Sequence, residues 1–241
     1  MAYTFGVASL NAWALGRADT ARERIQQAIA GAGENNNPYE QTWAQTFAAE
    51  LQLHLREAAA TETLAEQVVT RSDERGFSQF AGAGRVILGW ARANLGHTSE
   101  GVALIRRGLK DGAGIGGALT ALANAQALDG EIADALATIE KVLQANEHRP
   151  EALNTRGELR LKQGQMELAE ADFRESIALA QKMSAKAWEL RSTMSLARML
   201  NQQGKRDEAR TMLSEIYGWF TEGFDTADMK DAKALLEELA E

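Results

Sequence analysis

The sequence of 241 residues has no cysteine, only two prolines and three histidines. Without cysteine there is no disulfide, no thiolate ligand for zinc and no thiol nucleophile. Val and Ile together number 15, whereas Ala and Leu together number 71. Because β-branched residues favour strands and Ala and Leu favour helices, this composition excludes mostly-β folds and predicts an all-α protein.

Long apolar runs and a signal-like start are also missing. No stretch of about 18 consecutive apolar residues occurs, and residues 1–4 lack the basic and apolar regions of a secretory signal. We therefore expect no membrane span and a cytoplasmic location. The net charge is −8 and basic residues are interleaved with acidic ones, so nucleic acid is not expected as a partner.

An internal repeat is marked by turn residues 34 to 41 residues apart. The marks are Gly16, Leu55, Gly96, Gly130, Gly164 and Gly204. Seven residues before and five residues after each mark the side chain is Ser, Ala or Gly, and nine residues after it stands Ile, Leu or Phe. Small side chains let two antiparallel helices approach closely, so each mark is expected to be the turn of a helical hairpin.

Two of the intervals are 34 residues, which is the period of the tetratricopeptide repeat. The sequence therefore predicts an all-α, tetratricopeptide-like α-α superhelix, or solenoid, that forms a single domain over residues 1–241. A final helix at 226–240 would cap the stack. Six helix pairs are expected, at 3–31, 38–75, 77–110, 116–146, 150–182 and 184–220.

Local signals support some of these helix ends. Asn37 stands before Pro38, and Glu40 follows three residues after Asn37, a pattern typical of a capped helix start. Pro150 predicts another start. Leu55 adopts a left-handed conformation less easily than glycine, so the second pair should have an atypical turn.

Three segments near the end are more specific than the generic repeat. They are ELRSTMSLAR at 189–198, QGKRDEAR at 203–210 and YGWFTEGFDT at 217–226. They resemble the C-terminal tetratricopeptide regions of bacterial adenylate/guanylate cyclase-like proteins, in which a cyclase domain and an ATPase module come first. The resemblance implies that this chain is the C-terminal regulatory or scaffolding region of such a signalling protein.

No catalytic constellation accompanies this resemblance. The sequence has neither a G-x-x-x-x-G-K-[ST] phosphate loop nor a plausible pair of metal-binding aspartates, so the chain itself is expected to be no enzyme. Residues 112–117 match G-x-G-x-x-G, but a helix rather than a strand is expected before them, which favours a loop between repeats. His54, His97 and His148 lack partners at ligand spacing, so neither a metal nor a cofactor is predicted.

In stacked helix pairs the first helices line a concave groove, the usual peptide site of such proteins. The residues predicted on or near it are Trp90, Asn124, Asn154, Glu158, Arg191 and Arg198. The arginines could pair with a carboxylate, the asparagines could bond a peptide backbone and Trp90 could anchor a side chain. Alternatively, the arginines only neutralise Glu158 or Glu189, and Trp90 belongs to the core.

The partner implied by the groove is a protein or peptide, including upstream cyclase or ATPase domains of the same protein. An aromatic cluster precedes the last helix and consists of Tyr217, Trp219, Phe220 and Phe224. It either packs the capping helix onto the sixth pair or forms a docking patch for upstream modules. The alternative function is a small-ligand sensor solenoid of an ATPase-containing transcription activator.

Overall fold

The computed structural model describes residues 2–34, 36–113, 115–145 and 149–240, apart from the side chain of Ala2. Within these ranges it contains thirteen α-helices and no strand, so the all-α prediction is confirmed. The first seven helices are α1 (Ala2–Ala14), α2 (Ala18–Glu34), α3 (Pro38–His54), α4 (Ala58–Arg75), α5 (Ser78–Asn94), α6 (Thr98–Lys110) and α7 (Ala118–Leu128). The remaining six are α8 (Ile132–Gln144), α9 (Pro150–Lys162), α10 (Met166–Lys182), α11 (Lys186–Gln202), α12 (Arg206–Tyr217) and α13 (Ala227–Glu238).

The observed helix ends lie close to the expected ones. The largest differences are at α2, which continues to Glu34, and at α12, which already ends at Tyr217. As a result, Trp219 and Phe220 lie in the connection to α13 rather than on α12. No described helix has both the length and the hydropathy needed to span a membrane.

The contacts of the chain group it into two compact units. The first unit comprises Met1–Trp13 and Asp19–Thr138, and the second comprises Ala14–Ala18 and Ile139–Glu241. The single domain expected over residues 1–241 stays a prediction.

Helix α3 begins as its sequence indicates. Oδ1 of Asn37 accepts hydrogen bonds from the backbone N–H groups of Tyr39, at 2.9 Å, and Glu40, at 3.5 Å. Pro38 is the first residue of α3, and Pro150 is the first residue of α9. Both positions suit proline, because the first turn of a helix leaves its N–H groups without an intrahelical acceptor.

The turns inside the pairs contain one residue with positive φ. In five pairs it is glycine, with φ between 75° and 95°: Gly16, Gly96, Gly130, Gly164 and Gly204. In the second pair it is Arg56, with φ of 64°, whereas Leu55 has an ordinary right-handed conformation. The atypical turn is confirmed, but the mark of the second pair belongs one residue later than predicted.

This shift of one residue changes which side chains of the second pair are buried between helices. Counted from Arg56, the positions seven residues before, five residues after and nine residues after the mark are Ala49, Thr61 and Ala65. All three have 0% exposure. The expected positions included Ala60, which is exposed, and Leu64, which is half-buried. Because the left-handed residue fixes where the second helix starts, it also fixes the register of the pair.

In the first unit, α5 and α6 approach each other through glycines. A Cβ atom placed on Gly89 would lie 2.6 Å from the carbonyl oxygen of Gly101, and one on Gly101 would lie 2.5 Å from the oxygen of Gly89. At a second level, a Cβ on Gly108 would lie 2.5 Å from the oxygen of Gly82. No larger side chain fits at these positions without moving the helices apart.

In the second unit, α13 packs on α11 and α12. Its buried side chains belong to the same core as Phe173 and Leu213, which have 0% exposure. They are Met229, Ala232 and Leu235, and Leu239, which directly follows α13, joins the same core. The expected capping helix on the sixth pair is therefore present.

Candidate functional site

One face of α9 carries three polar side chains of the second unit, Glu151, Asn154 and Glu158. Their spacing of three and four residues places them side by side on a helix. Nδ2 of Asn154 donates to Oε1 of Glu158 at 3.2 Å, and the hydroxyl of Ser195 on α11 donates to the same oxygen at 2.9 Å. Oδ1 of Asn154 is buried and has no hydrogen-bond partner within the described ranges. We call Glu151, Asn154, Glu158, Arg191, Ser195 and Arg198 the α9–α11 polar face.

Arg191, on α11, is engaged with α13. Its Nε and Nη2 atoms lie 2.8 Å and 2.7 Å from Oδ2 of Asp228, and the two side chains are 16% and 11% exposed. The guanidinium carbon lies 4.9 Å from the centre of the Trp188 ring. Arg191 therefore helps to hold the capping helix.

Arg198 follows seven residues later on α11 and is exposed. Within the part of the chain that the structure describes, it forms no hydrogen bond or ion pair. Glu189, proposed from the sequence as a neutralising partner, instead binds Nζ of Lys186 at 2.6 Å and Nε2 of Gln181 at 2.9 Å. The two arginines thus differ in their surroundings, because Arg191 is paired with Asp228 and Arg198 is exposed.

Glu151 is the most deeply placed carboxylate of the α9–α11 polar face, with a side chain that is 15% exposed. Burial raises the pKa of Glu151, because the charged form loses water. Its own backbone N–H acts in the opposite direction, as do the positive charges of Arg149, 3.6 Å away, and Arg191. The backbone N–H and the two arginines therefore do not fully offset the loss of water around the charged carboxylate.

A charge network that the sequence analysis missed joins α9 to α8 and α10. Asp172, with 2% side-chain exposure, lies 2.6 Å from Nη2 of Arg156 and 2.7 Å from Nη1 of Arg160. Burial lowers the pKa of Arg156, but hydrogen bonds and charges of Asp172 and Glu140 outweigh this effect and raise it. The spacing of four residues between the arginines was the available signal. Because these charges satisfy one another, the network is structural.

Trp90 and Asn124 lie in the first unit, on α5 and α7. Trp90 is half-buried and packs against the core that contains Val86 and Leu122, while its carbonyl accepts from Nδ2 of Asn94 at 2.8 Å. Asn124 is half-buried. The other four predicted groove residues, Asn154, Glu158, Arg191 and Arg198, lie in the second unit. A single groove that contains all six stays a prediction.

The aromatic cluster before α13 divides into a buried and an exposed part. Phe220 is 8% exposed and belongs to the core of the second unit, and Tyr217 packs against that core. Trp219 and Phe224 are 43% and 50% exposed. Tyr217 contacts Phe224 edge to face at 6.2 Å, and Nζ of Lys186 lies 5.4 Å from the Trp219 ring. Only Trp219 and Phe224 present substantial surface for docking.

The glycine-rich segment at 112–117 lies between α6 and α7, so a helix precedes it as predicted. Its Gly114 lies outside the described residues. His54 stacks on Trp13 at 4.2 Å, His97 immediately precedes α6, and His148 lies outside the described residues. No group of three or more His, Asp or Glu within the described residues could hold a metal ion.

The family models for the tetratricopeptide repeat match three segments, residues 116–141, 150–183 and 190–215. These segments include most of α7 to α12, which form the fourth, fifth and sixth pairs. The protein thus contains tetratricopeptide repeats, and the predicted fold class is confirmed. No curated protein matches the chain in sequence.

Two solved structures are similar over the whole chain. One is a thermophilic TPR protein from Thermus thermophilus, with 17% identity, a TM-score of 0.44 and coverage of 100% of this chain and 99% of that one. The other is the TPR2AB domain of yeast Sti1 in a complex with pHSP90, with 13% identity, a TM-score of 0.40 and the same coverage.

Proposed function

We propose that the chain is a non-catalytic module that binds a protein or peptide through the α9–α11 polar face. The observation that carries the proposal is the contrast on α11. Arg191 is engaged by Asp228, whereas Arg198, the other arginine of this face, is exposed, as is Glu158 on α9. A repeat whose structural charges are paired and which keeps an exposed arginine is suited to recognition.

The chemistry of this face fits a polypeptide ligand. Arg198 can form two parallel hydrogen bonds to a carboxylate of the partner, because a guanidinium presents its donors in a fixed fork. Nδ2 of Asn154 donates one hydrogen to Glu158, and its second hydrogen can be donated to a backbone carbonyl of the partner. Glu158 positions the Asn154 amide, since it already accepts from that amide and from Ser195.

The exposed rings of Trp219 and Phe224 supply a second, apolar contact for upstream modules of the same protein. This assignment rests on their exposure of 43% and 50% and on the resemblance of residues 217–226 to cyclase-like proteins. Within this proposal, the chain is the C-terminal regulatory region of an adenylate/guanylate cyclase-like signalling protein and acts in the cytoplasm.

Photo-crosslinking from positions 198 and 210 tests whether a partner binds the α9–α11 polar face. A photoreactive residue at position 198 should capture one protein that a photoreactive residue at exposed Arg210 on α12 does not. With that protein purified, Arg198→Glu should weaken its affinity by about tenfold or more, and Arg210→Glu should leave it unchanged. Equal effects of both variants would overturn the assignment of the polar face.

The cyclase-like context is tested by the mass of the native product. An antibody raised against this chain should detect a protein several times larger than 26.2 kDa in the source cells. A product near 26.2 kDa would contradict the proposal that this is one region of a multidomain protein. A melting temperature raised by a sugar or nucleotide would instead support the small-ligand sensor.

A further inference from the structure

The turn between α1 and α2 is covered, unlike the turns of four other pairs. A Cβ atom placed on Gly16 would lie 2.8 Å from Cε1 of Phe220, 2.9 Å from Cζ3 of Trp219 and 3.0 Å from Cβ of Lys186. A Cβ atom on the corresponding glycine of the four other turns would meet nothing within 4 Å. These glycines are Gly96, Gly130, Gly164 and Gly204.

The residues that cover the turn come from the end of the chain. Lys186 is the first residue of α11, and Trp219 and Phe220 lie between α12 and α13. A second contact follows in the same connection, where a Cβ atom on Gly223 would lie 2.8 Å from Cβ of Ala18. We call Lys186, Trp219, Phe220 and Gly223 the turn cradle.

The stacking of neighbouring repeats does not account for this contact. In a solenoid each repeat contacts only its neighbours. Gly16 belongs to the first pair, whereas Phe220 follows the sixth. The segment Ala14–Ala18 accordingly belongs to the second unit, whose other residues begin at Ile139.

The turn contacts the cradle through its smallest residues. Gly16 is buried and Ala18 is 8% exposed, whereas Leu15 is 41% exposed and Arg17 is exposed. Because hydrophobic stabilisation scales with the apolar area removed from water, glycine and alanine contribute little to it. Phe220, in contrast, belongs to the core of the second unit. The turn is therefore the part of this contact that can leave.

We propose that the α1–α2 turn is a removable latch that controls access to the turn cradle. With the turn in place, Phe220 is 8% exposed and Trp219 is 43% exposed. Release of the turn uncovers Phe220 and the edge of Trp219 that faces Gly16, so the apolar surface after α12 becomes larger. The occupant of the open cradle is an apolar surface of the upstream modules. In this respect the inference rests on the proposed function, which assigns Trp219 to them.

The turn and the upstream modules then compete for the same rings. A ligand that binds only the open state shifts the equilibrium toward that state, and its apparent affinity falls with the fraction of open molecules. The closed latch therefore lowers the affinity of the cradle for the upstream modules.

Thiol labelling measures how often the latch opens, because the chain has no cysteine of its own. Ala18→Cys places a thiol beneath the cradle. Met166→Cys places one at the same position of an uncovered turn, two residues after Gly164, where the side chain is 43% exposed. A maleimide should label position 18 at least about tenfold more slowly than position 166. Equal rates would show that the turn is not covered in solution and would overturn the proposal.

Two alanine variants test what holds the turn. Gly16→Ala adds a methyl group that meets Phe220 and Trp219, whereas Gly164→Ala adds it where no atom lies within 4 Å. The backbone strain is alike, because φ is 79° at Gly16 and 75° at Gly164. Gly16→Ala should raise the labelling rate of Ala18→Cys about tenfold, and Gly164→Ala should leave it unchanged. An unchanged rate in Gly16→Ala, or equal rises in both, would refute the latch.

A buried thiol separates release of the turn from unfolding of the whole protein. Ser192→Cys is nearly isosteric and lies on α11 at a position with 0% exposure. In the Gly16→Ala background this thiol should stay protected while the thiol at position 18 is labelled. Labelling of both at the same rate would mean that the protein opens as a whole and that no latch exists.

The dye ANS, which binds exposed apolar surface, measures what the release uncovers. Gly16→Ala should increase ANS fluorescence about twofold, and adding Trp219→Ala should abolish the increase. Gly164→Ala should cause none. No increase in Gly16→Ala would contradict the uncovering of the cradle. These measurements need no upstream module, so their failure refutes the latch alone. A native product near 26.2 kDa would instead overturn the upstream modules as its occupant.

Discussion

Arg191 and Asp228 form a partly buried ion pair that fastens α13 to α11, with Nη2 and Oδ2 2.7 Å apart. This ion pair distinguishes Arg191 from Arg198, two arginines of α11 that look equivalent in the sequence. Arg191 stabilises the fold, whereas Arg198 remains exposed and available for a partner. Charge at a helix surface therefore indicates a binding residue only after its neighbours in the fold are known.

The first prediction concerns the ion pair itself. Arg191→Glu should lower the free energy of unfolding by about 2 kcal/mol, because it replaces the guanidinium beside Asp228 with a like charge. Urea denaturation measures the change. Arg198→Glu is the matched control on the same helix and should leave the unfolding free energy within about 0.5 kcal/mol of the original. Comparable losses in both variants would show that the Asp228 contact is not what stabilises the cap.

A second prediction tests the backbone contact between α5 and α6. Gly89→Ala should destabilise the protein by about 1–3 kcal/mol, because the added methyl group would lie 2.6 Å from the carbonyl oxygen of Gly101. Gly33→Ala, in α2, adds the same group where no atom lies within 4 Å. That control should stabilise the protein by up to about 1 kcal/mol, since it lowers the entropy of the unfolded chain. Opposite signs in thermal unfolding are the expected result.

A third prediction concerns the turn of the second pair. Arg56 has φ of 64°, a conformation that is costly for a residue with a Cβ atom. Arg56→Gly should therefore raise the unfolding free energy by about 1 kcal/mol. Leu55→Gly should instead lower it by about 2–4 kcal/mol, because Leu55 is right-handed and only 2% exposed. If Leu55→Gly were the stabilising change, the turn would have the register first expected from the sequence.

The fourth prediction follows from the raised pKa of Glu151. A carboxyl group whose pKa is higher in the folded state favours folding when protonated, below its ordinary pKa of about 4.3. That contribution is lost as the pH rises through the raised pKa. The side chain in the Glu151→Gln variant is neutral at every pH. The free energy of unfolding of this variant, relative to that of the original protein, should therefore increase as the pH rises from acidic to neutral.

The measurement is the unfolding free energy of both proteins over that pH range. Glu215→Gln, at an exposed position on α12, controls for the loss of one negative charge. A difference between the Glu151 variant and the original protein that stays constant with pH would contradict the assignment.

Much of the local structure was predictable, because its signals lie within a few residues of one another. The Asn37 side chain caps α3 through N–H groups two and three residues away. Gly164 and Gly204 mark two turns, because a residue without a Cβ atom adopts the left-handed conformation at no steric cost. Arg56 escaped detection because its left-handed conformation is imposed by the helices on both sides.

The candidate site was predictable only in part. Asn154 and Glu158 are four residues apart, and the structure joins them by a hydrogen bond as their helical spacing suggests. A cluster of aromatic rings in the first unit was missed, although the spacing of Tyr39, Trp43 and Phe47 on one helix was a usable signal. What the spacing did not reveal was Tyr3, which reaches the cluster from α1.

The sequence by itself determined the helices, the five turns that contain glycine and the tetratricopeptide class, because capping residues, glycines and the columns of small side chains act locally or recur with a fixed period. The tertiary structure decided which charges are neutralised. Asp172 meets Arg156 and Arg160 across two helices, and Asp228 meets Arg191 from a point 37 residues further along the chain. An ion pair depends on the distance between atoms in space, and the packing of the helices sets that distance.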